Sequence, residues 1–420
     1  MLEKLGKDLI WCMKRVYAFL LAIRIDLEVS IVKLCYKRTI TRIRKKRAFA
    51  KRVKVCFLVS NSSKWKCQAL FDKMVLDPYF EPYIGFAAYD TEEGMNSVKL
   101  TAYKNKMYDF FRDRVPKSSI MEFYNRPIRR ENFDLVFYQS PWGCRGRCIS
   151  PFLSALGSLL FYVPYYIPST FDPGIGIMQF FHRLQFRNYV ISAQVADVYG
   201  DCVRKSGKSY AGEIRVAGHP MLDLINDNKS GDIIVYAPHW SIIHPNYHNG
   251  VYMSTFLANG RAILEYVKRH PEQHWVFKPH PFLKEALKVA WSEQEISDYY
   301  QEWESVGEVC YTGEYVELFE RSRVMVTDCD SFLTEYGVTG KPVIFLYGEK
   351  RKDMKHTFCG LYESYYKVSN NQQLFMAVRE VVECRKDPKM MDRRNALQQL
   401  GLMHKDSADR IIADIKNVLG

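Results

Sequence analysis

The sequence contains no apolar run that is long enough to cross a membrane. Its longest unbroken apolar run, Val16–Ile23, has eight residues, whereas a membrane-spanning helix needs about 20. No small-residue cleavage site follows this run, so it lacks the form of a secretory signal peptide. We therefore expect neither a transmembrane segment nor a cleaved leader.

Cysteines are present, but not at spacings that indicate a disulfide framework or a zinc site. Eleven cysteines are scattered over 420 residues, and Cys144 and Cys148 are the closest pair, with no second pair near them. This pattern favours a reducing, cytosolic compartment. Neither a carboxylate pair nor a histidine cluster indicates a metal, and we expect no metal and no cofactor.

Excess positive charge is scarce outside the N-terminal segment. Residues 1–52 hold fifteen Lys/Arg and four Asp/Glu, so they carry +11 of the net charge of +13. The remaining chain is close to neutral, which argues against a basic groove for nucleic acid over the body of the protein. We expect no nucleic-acid partner.

This N-terminal arm, residues 1–52, has the pattern of one long amphipathic helix with a basic end. Apolar residues recur at steps of three and four from Leu2 to Leu34, and ten Lys/Arg occupy positions 33–52. Such a helix suits an anionic membrane surface, where each basic residue contributes about 1 kcal/mol. The alternative is a helix packed on the protein's own body or on a sister chain.

The remaining sequence alternates short apolar runs with helical segments, which indicates an α/β fold with parallel sheets. We expect an N-terminal Rossmann-like domain at 53–213, a C-terminal Rossmann-like domain at 214–389 and a C-terminal helix at 390–420. The expected strands of the first domain are Val53–Val59, Pro82–Ala88, Phe133–Tyr138, Phe161–Ile167 and Tyr189–Ala193. Those of the second are Ile214–Ala217, Asp232–Ala237, His274–Lys278, Val309–Thr312, Arg323–Thr327 and Pro342–Tyr347.

The stretch 323–336 is the pattern around which the chain is organised. Val324–Val326 predicts a buried strand, and the small polar residues after it predict a turn into a helix capped by Asp330 or Ser331. In open α/β sheets, ligands bind at the carboxyl ends of strands, where helix N-termini favour anions. An ordinary strand-to-helix turn would have the same pattern.

A second short strand, Trp275–Phe277, ends in Lys278 and in His280, which lies between two prolines. The prolines end the strand and restrict the backbone around the histidine. A lone Lys-Pro-His-Pro segment could be a surface turn. Its combination with a Thr-Asp-x-x-Ser segment at 327–331 is much more specific.

This combination resembles the CDP-glycerol glycerophosphotransferase family, whose members polymerise teichoic-acid-like chains. Three further segments match in order: Gly218–Asp223 is similar to the family's Gly-x-Pro-x-x-Asp, Tyr236–Trp240 to its Tyr-Ala-Pro-Thr, and Lys341-Pro342 to the start of its last core strand. The resemblance covers residues 215–350 well and 53–215 more weakly. It implies the GT-B fold, in which two Rossmann-like domains face each other across a cleft.

The resemblance also implies a nucleotide-linked donor held by the second domain and an acceptor held by the first. The residues assigned to catalysis are His280, His239 and His182. Those assigned to the donor are Lys278, His219, Thr327, Asp328, Asp330, Ser331, Phe332 and Glu335, and those on the acceptor side are Ser60, Asn61, Trp65, Gln139 and Trp142. His280 is expected either to stabilise negative charge as a cation or to transfer a proton when neutral.

The sequence departs from the family pattern in three places. Asp330 stands where the family has a phosphate-binding hydroxyl, and His239 stands where it usually has threonine. No His-Gly-Thr segment is present to supply an acceptor-side base. The base is therefore open among His182, His239 and His244, or absent.

The expected reaction is the transfer of glycerol phosphate, or a related polyol phosphate, from a CDP-linked donor to a hydroxyl of a cell-surface glycan or teichoic-acid-like acceptor. We expect a cytoplasmic enzyme that is peripheral on the inner face of the membrane. The change at Asp330 keeps open a GT-B glycosyltransferase that uses a nucleotide sugar in capsule or surface polysaccharide synthesis. A membrane-recruited scaffold without activity is a third reading.

Overall fold

The computed structural model describes residues 2–87, 97–141, 148–167, 177, 179–225, 231–242, 253–311, 315–348 and 358–420. The chain divides into two compact units. The first unit contains Met1–Tyr165, Asp172–Pro220 and Asp406–Gly420, and the second contains Tyr166–Phe171 and Met221–Lys405. Each unit is built around one parallel β-sheet.

The first unit has a seven-stranded parallel sheet in the order β3-β2-β1-β4-β5-β6-β7. The strands are β1 (Val53–Val59), β2 (Phe80–Phe86), β3 (Ile120–Glu122), β4 (Leu135–Tyr138), β5 (Leu159–Tyr162), β6 (Arg187–Val190) and β7 (Glu213–Val216). The helices of this unit that precede β7 in the chain are α1 (Leu2–Ala48), α2 (Gln68–Leu76), α3 (Ser97–Phe111), α4 (Pro151–Ala155), α5 (Phe180–Leu184) and α6 (Ala193–Ser206). The central strands β4 and β5 are continuous, fully buried apolar runs, and β1 interrupts its apolar run only at Lys54, as is typical of a parallel sheet buried on both faces.

The second unit has a six-stranded parallel sheet in the order β10-β9-β8-β11-β12-β13. The strands are β8 (Ile233–Ala237), β9 (Trp275–Phe277), β10 (Glu308–Val309), β11 (Ser322–Thr327), β12 (Val343–Leu346) and β13 (Tyr366–Val368). The helices are α7 (Phe256–Arg269), α8 (Leu283–Leu287), α9 (Glu293–Val306), α10 (Val316–Arg321), α11 (Asp330–Glu335), α12 (Cys359–Glu363), α13 (Asn371–Val378) and α14 (Met390–Gln399). Tyr236, Phe277 and Trp303 stack in its core, with ring centroids 5.6 and 5.0 Å apart along the series.

The observed units differ from the expected domain division at two elements. The strand expected at Ile214–Ala217 to open the second domain is β7, the edge strand of the first sheet, paired through Arg187 and Glu213. The last helix, α15 (Ser407–Leu419), belongs to the first unit, where Ile411 and Ile415 are buried. Periodicity identifies a strand or a helix, but it does not say which sheet or core that element joins.

Helix α1 is tied to the first unit by the residues of its second half. Val29, Val32, Tyr36 and Ile43 are fully buried in the core. The buried carboxylate of Asp134 accepts hydrogen bonds from Arg42 at 2.9 Å and Lys46 at 2.6 Å. This half of the arm is therefore part of the fold, as the alternative of packing on the body predicted, and these two cations serve the docking of the helix.

The opposite face of α1 carries an exposed apolar stripe. Its large exposed residues recur at steps of three and four and lie about half a turn from the buried face: Met13, Val16, Leu20, Ile23, Leu27, Ile31 and Leu34. Tyr17 and Phe19 are exposed at the two sides of this stripe, and the exposed Leu21 lies on the side of the buried residues. Within the described ranges, no helix has the length and hydropathy that a bilayer crossing requires.

Candidate active site

The second sheet brings three separate motifs to one edge. Strand β8 pairs with β9 through Tyr236 and Phe277, and with β11 through Ala237 and Thr327. Because all three strands are parallel, the residues that follow them emerge at the same carboxyl edge. The Pro-His-Trp, Lys-Pro-His-Pro and Asp-Cys-Asp-Ser segments therefore meet there, although long stretches of sequence separate them.

Asp328 organises the loops at this edge. Its buried Oδ1 accepts a hydrogen bond from the backbone N–H of His239 at 2.6 Å. Its Oδ2 accepts from the backbone N–H of Thr255 at 2.5 Å and from the Thr255 hydroxyl at 2.9 Å. The Thr327 hydroxyl donates to the Ala237 carbonyl at 2.6 Å. Thr327 and Asp328 were assigned to donor binding from the sequence. In the structure their side chains make hydrogen bonds that hold the neighbouring loops in place.

The local backbone selects one tautomer of His280. Pro281 has no N–H, so the next donor in the chain is the Phe282 N–H, which donates to His280 Nδ1 at 3.1 Å. Nδ1 is then an acceptor, and the neutral ring carries its hydrogen on Nε2. Burial, reinforced by the charge of Lys278, lowers the pKa of His280 to about 4. At neutral pH His280 is a neutral N–H donor and not the cation considered from the sequence. Proton transfer by the neutral ring, the other expectation, stays a prediction.

His239 has the same arrangement in the neighbouring loop. Its Nδ1 accepts from the Ser241 backbone N–H at 3.1 Å and lies 2.7 Å from the Ser241 hydroxyl. The neutral tautomer that fits this geometry also carries hydrogen on Nε2. The rings of His239 and His280 have centroids 5.7 Å apart. Trp240 lies against His280 at 6.0 Å, and Phe282 lies at 5.7 Å from that ring.

Lys278 adds a cation near His280, since its charge contributes to the lowered pKa of that ring. Its side chain is buried, and burial lowers the pKa of its ammonium group. Its backbone N–H donates to the Tyr236 carbonyl at 2.8 Å, which continues the sheet pairing to the end of β9. The sequence expectation that Lys278 and His280 lie together at a strand end is thus met by the geometry. Their contact with a ligand stays a prediction.

The start of α11 differs from the expected capped helix. Cys329, not Asp330 or Ser331, is the N-cap residue, and its side chain makes no capping hydrogen bond. The Cys329 thiol lies 3.6 Å from the Ser331 hydroxyl, and Asp330 is half-buried. The small polar residues correctly indicated that a helix starts here. They could not show which residue begins the first helical turn, so the expected cap was placed one or two residues too late.

Glu335 and Phe332 face the interior of the second unit. Glu335 is buried and accepts a short hydrogen bond from the Tyr315 hydroxyl. The Phe332 ring packs on Tyr315 and Phe319, with centroids 4.9 and 5.4 Å apart. Tyr315 was not identified from the sequence, because a tyrosine before a short helix has no pattern that distinguishes it from core.

Two histidines assigned from the sequence belong to the first unit, whereas this cluster belongs to the second. His182 is buried, its Nδ1 lies 2.9 Å from Asn188 Oδ1, and burial lowers its pKa to about 4. His219 is buried as well; its Nε2 lies 2.7 Å from the Pro164 carbonyl, and burial lowers its pKa to about 4. Neither placement suits a base or a donor ligand, so we leave both out of the active site that we propose.

The acceptor-side residues follow β1 and β4 in the first unit. The Asn61 side chain accepts from the Ser63 N–H at 3.1 Å, and the Ser60 carbonyl accepts from the Tyr103 hydroxyl. Trp65 is a core residue, since its buried ring packs against Phe57, Phe71 and Phe111. Gln139 is buried, and its Oε1 accepts from the Lys66 N–H at 2.9 Å. Trp142 and His244 lie outside the described residues.

No metal-binding cluster is found in the part of the chain that the structure describes. A search there for groups of at least three His, Cys, Asp or Glu side chains that could hold an ion finds none. The chemistry of the described site is that of imidazole and ammonium donors, with aromatic rings beside them.

The two parallel-sheet α/β units are the GT-B type of fold that the sequence pattern implied. A UDP-N-acetylglucosamine 2-epimerase structure from Listeria monocytogenes matches with a TM-score of 0.54, 13% identity, and coverage of 87% of this chain and 96% of that one. A structure of the wall teichoic acid polymerase TagF, soaked with CDPG, matches with a TM-score of 0.55, 11% identity, and coverage of 93% and 97%. At these identities the likeness concerns the fold alone.

A family model places the chain more closely. The model for CDP-Glycerol:Poly(glycerophosphate) glycerophosphotransferase matches residues 180–411, more than half of the chain. The protein therefore belongs to the CDP-glycerol glycerophosphotransferase family, and it is a transferase. No curated protein sequence matches it significantly.

Proposed function

We propose that the protein transfers glycerol phosphate, or a related polyol phosphate, from a CDP-linked donor to a hydroxyl of a cell-surface glycan or teichoic-acid-like acceptor. The observation that carries this proposal is the cluster of Lys278, His280 and His239 at the carboxyl edge of the second sheet. It combines a buried cation with two imidazoles whose tautomers make Nε2 a donor. Donors of this kind suit phosphate oxygens.

The reaction is a phosphoryl transfer in which atoms and charges balance. The acceptor hydroxyl oxygen attacks the phosphorus that carries the glycerol, the bridging P–O bond breaks, and CMP leaves with the bond's electron pair. Lys278 and His280 would offset negative charge on the transferred and leaving groups. The hydroxyl proton must pass to another group or to solvent, because the tautomer of His280 leaves its Nε2 without a free lone pair.

The alternative is a glycosyltransferase that uses a nucleotide sugar, and Asp330 is the observation that supports it. A carboxylate at the start of α11 stands where the family has a hydroxyl, and an anion beside a phosphate is unfavourable unless it points away. A sugar hydroxyl, in contrast, can donate to a carboxylate.

Thermal stabilisation of the purified protein by CDP-glycerol, CMP, CDP, UDP and UDP-sugars separates these functions. A ligand that binds only the native state at about 100 times its dissociation constant adds about 2.7 kcal/mol. Stabilisation by cytidine nucleotides, with turnover of CDP-glycerol, is the result we expect. Stabilisation by UDP compounds alone would favour the glycosyltransferase, and no stabilisation by any of them would favour a scaffold.

We also propose that the exposed stripe of α1 lies on an anionic membrane surface, which would make the enzyme peripheral on the cytoplasmic face. The stripe spans residues 13–34, and the exposed Arg38 and Lys45 continue along its outward face. The apolar arc includes Tyr17 and Phe19 on its two sides and is wider than a coiled-coil seam. This width favours lipid over a sister chain.

Vesicle sedimentation tests this membrane proposal. The double variant Leu20→Glu with Leu27→Glu should lose binding to vesicles that contain phosphatidylglycerol, because each change places a charge in the apolar face. Met376→Glu, at an exposed apolar residue of the second unit, is the matched control. Equal loss in both variants, or concentration-dependent dimerisation abolished by the double variant, would contradict the proposal.

A further inference from the structure

Lys278 has a cysteine as its neighbour on the adjacent strand of the second sheet. Strand β10 pairs with β9 in parallel register, with Val309 opposite Phe277. The Cys310 N–H then donates to the Phe277 carbonyl at 2.8 Å, which carries this pairing one residue further along both strands. Cys310 therefore lies opposite Lys278, on a backbone about 5 Å away, and the two side chains leave the sheet on the same face.

The side chains of Lys278 and Cys310 are also close enough to interact electrostatically. Burial lowers the pKa of the Lys278 ammonium group, and the charge of a Cys310 or Cys329 thiolate would act in the opposite direction. Burial also increases the share of uncharged Lys278 amine, whose nitrogen lone pair is a nucleophile. A buried amine and a sulfur atom are thus held side by side at the carboxyl edge of this sheet.

The two cysteines near Lys278 differ in their access to solvent. Cys310 is half-buried. Cys329 is buried, and burial raises the pKa of its thiol to about 11. Because an oxidant such as peroxide reacts with the thiolate and must reach the sulfur, cysteines that oxidise are partly exposed and lie beside cationic side chains. Of the two, Cys310 is therefore the one that a dissolved peroxide can oxidise.

The sheet order gives an oxidised Cys310 a lysine partner and not a disulfide partner. Strands β9 and β8 lie between β10 and β11, so the chain segments that carry Cys310 and Cys329 are three strand spacings apart, about 14 Å. The Cα atoms of a disulfide lie at most about 7 Å apart. Lys278, one spacing away, offers a nitrogen, and a sulfenic acid condenses with nitrogen to a sulfenamide.

We propose that Cys310 and Lys278 form a peroxide-driven modification site, in which a sulfenamide bond joins Cys310 Sγ to Lys278 Nζ. The thiolate attacks one peroxide oxygen, the O–O bond breaks and hydroxide leaves, so that sulfur is oxidised to a sulfenic acid and the peroxide is reduced. The Lys278 amine then attacks the sulfur, the S–O bond breaks, and the departing hydroxide takes a proton from the nitrogen. One peroxide is consumed and two water molecules form for each bond.

The cross-link removes the ammonium group of Lys278 from the cluster that contains His280 and His239. A sulfenamide nitrogen is uncharged, so it cannot offset negative charge on a phosphate group. This consequence rests on the proposed function, in which Lys278 faces the CDP-linked donor. Oxidation would then stop donor binding, and a thiol that attacks the S–N bond would restore the lysine and, through a mixed disulfide, the cysteine.

Peroxide treatment of the full chain, followed by peptide mass spectrometry without reductant, tests the bond itself. We expect a cross-linked pair of peptides that contain Cys310 and Lys278 and that together lack two hydrogen atoms. Dithiothreitol should release both peptides unmodified. Dimedone, which captures sulfenic acids, should label Cys310 and suppress the cross-link when it is present during oxidation.

The variant Cys310→Ser tests the consequence for the active site. Peroxide should weaken binding of CDP-glycerol to the wild type at least about tenfold in calorimetric titration, and dithiothreitol should restore it. Cys310→Ser should bind CDP-glycerol equally before and after peroxide. The matched control is Cys384→Ser, which removes an exposed cysteine of the same unit and should lose binding as the wild type does.

The possible outcomes distinguish this inference from the proposed function. A sulfinic acid at Cys310, or a disulfide between Cys310 and Cys329, in place of the link to Lys278 would overturn the inference. Equal loss of CDP-glycerol binding by Cys310→Ser and the wild type would overturn it as well. A dithiothreitol-sensitive cross-link in a protein that binds no CDP-glycerol even before oxidation would support the modification site while the proposed function fails.

Discussion

The carboxylate of Asp328 accepts a hydrogen bond from the backbone N–H of His239, 89 residues earlier in the chain. Through this contact, the loop after β11 holds the loop after β8, and the second carboxylate oxygen holds the start of α7 at Thr255. The position of the His239 ring, and with it the spacing to His280, therefore depends on a residue that the sequence assigned to the donor.

Asp328→Ala should destabilise the protein and reduce activity together. Removing the buried carboxylate leaves three partly buried donors, on His239 and Thr255, without their acceptor, and we expect a loss of about 3 kcal/mol in the free energy of unfolding. Urea unfolding and CDP-glycerol turnover measure the two effects. Asp298→Ala, which removes an exposed carboxylate from α9, should change neither. An Asp328→Ala variant as stable as the control would show that the contact is not structural.

His280→Gln should retain more activity than His280→Asn. The glutamine amide can place an N–H near the position of Nε2, whereas the asparagine amide reaches only as far as Nδ1. If His280 is a neutral donor, we expect a loss of about tenfold in kcat/KM for glutamine and about a hundredfold for asparagine. A general base would lose activity equally in both variants. Side-chain ¹⁵N NMR of the wild type should show hydrogen on Nε2.

Stability should fall as the pH is lowered from 6.5 toward 4, because burial keeps His280 and two further histidines in the neutral form. Burial lowers the pKa of His182 and of His219 to about 4, whereas an unfolded histidine titrates near 6.5. Below 6.5 the unfolded state binds more protons, so the stabilisation present above that pH is lost as the pH falls. Each histidine should cost about 2 kcal/mol at pH 5.

The variant His182→Asn checks this pH dependence. Its urea-unfolding free energy should change about 2 kcal/mol less between pH 7 and pH 5 than that of the wild type. Met376→Asn, at an exposed residue that does not titrate, should keep the wild-type pH dependence. If the unfolding free energies of all three proteins changed equally with pH, the buried, neutral state of His182 would not be the cause of the pH dependence.

Arg42→Gln with Lys46→Gln should loosen the docked half of α1. Both cations donate to the buried Asp134, and losing them should cost about 3 kcal/mol. Hydrogen exchange of residues 29–47 should then rise. The exposed pair Arg38→Gln with Lys45→Gln should leave exchange unchanged and weaken vesicle binding instead. If both double variants changed hydrogen exchange and vesicle binding equally, the assignment of Arg42 and Lys46 to docking and of Arg38 and Lys45 to lipid contact would be wrong.

Hydrophobic periodicity and the order of short motifs along the sequence were sufficient to identify most of the strands and helices and the family. The Lys278–Pro281 and Thr327–Ser331 segments were recognised from residue order, and the structure brings them to one edge because β8 pairs with both β9 and β11. The observed bounds of β2 and β5 differ from the expected ones by a few residues, since strand ends depend on tertiary contacts.

The sequence by itself determined the α/β class, the family and the order of the motifs, because these depend on periodicity and on residue spacing along the chain. Only the tertiary structure decided that β7 and α15 belong to the first unit, that the basic half of α1 is docked on Asp134, and that Trp65 and His182 are core residues. It also set the tautomer of His280, through the N–H of Phe282. Burial and hydrogen-bond partners come from contacts between distant segments, and no local pattern encodes them.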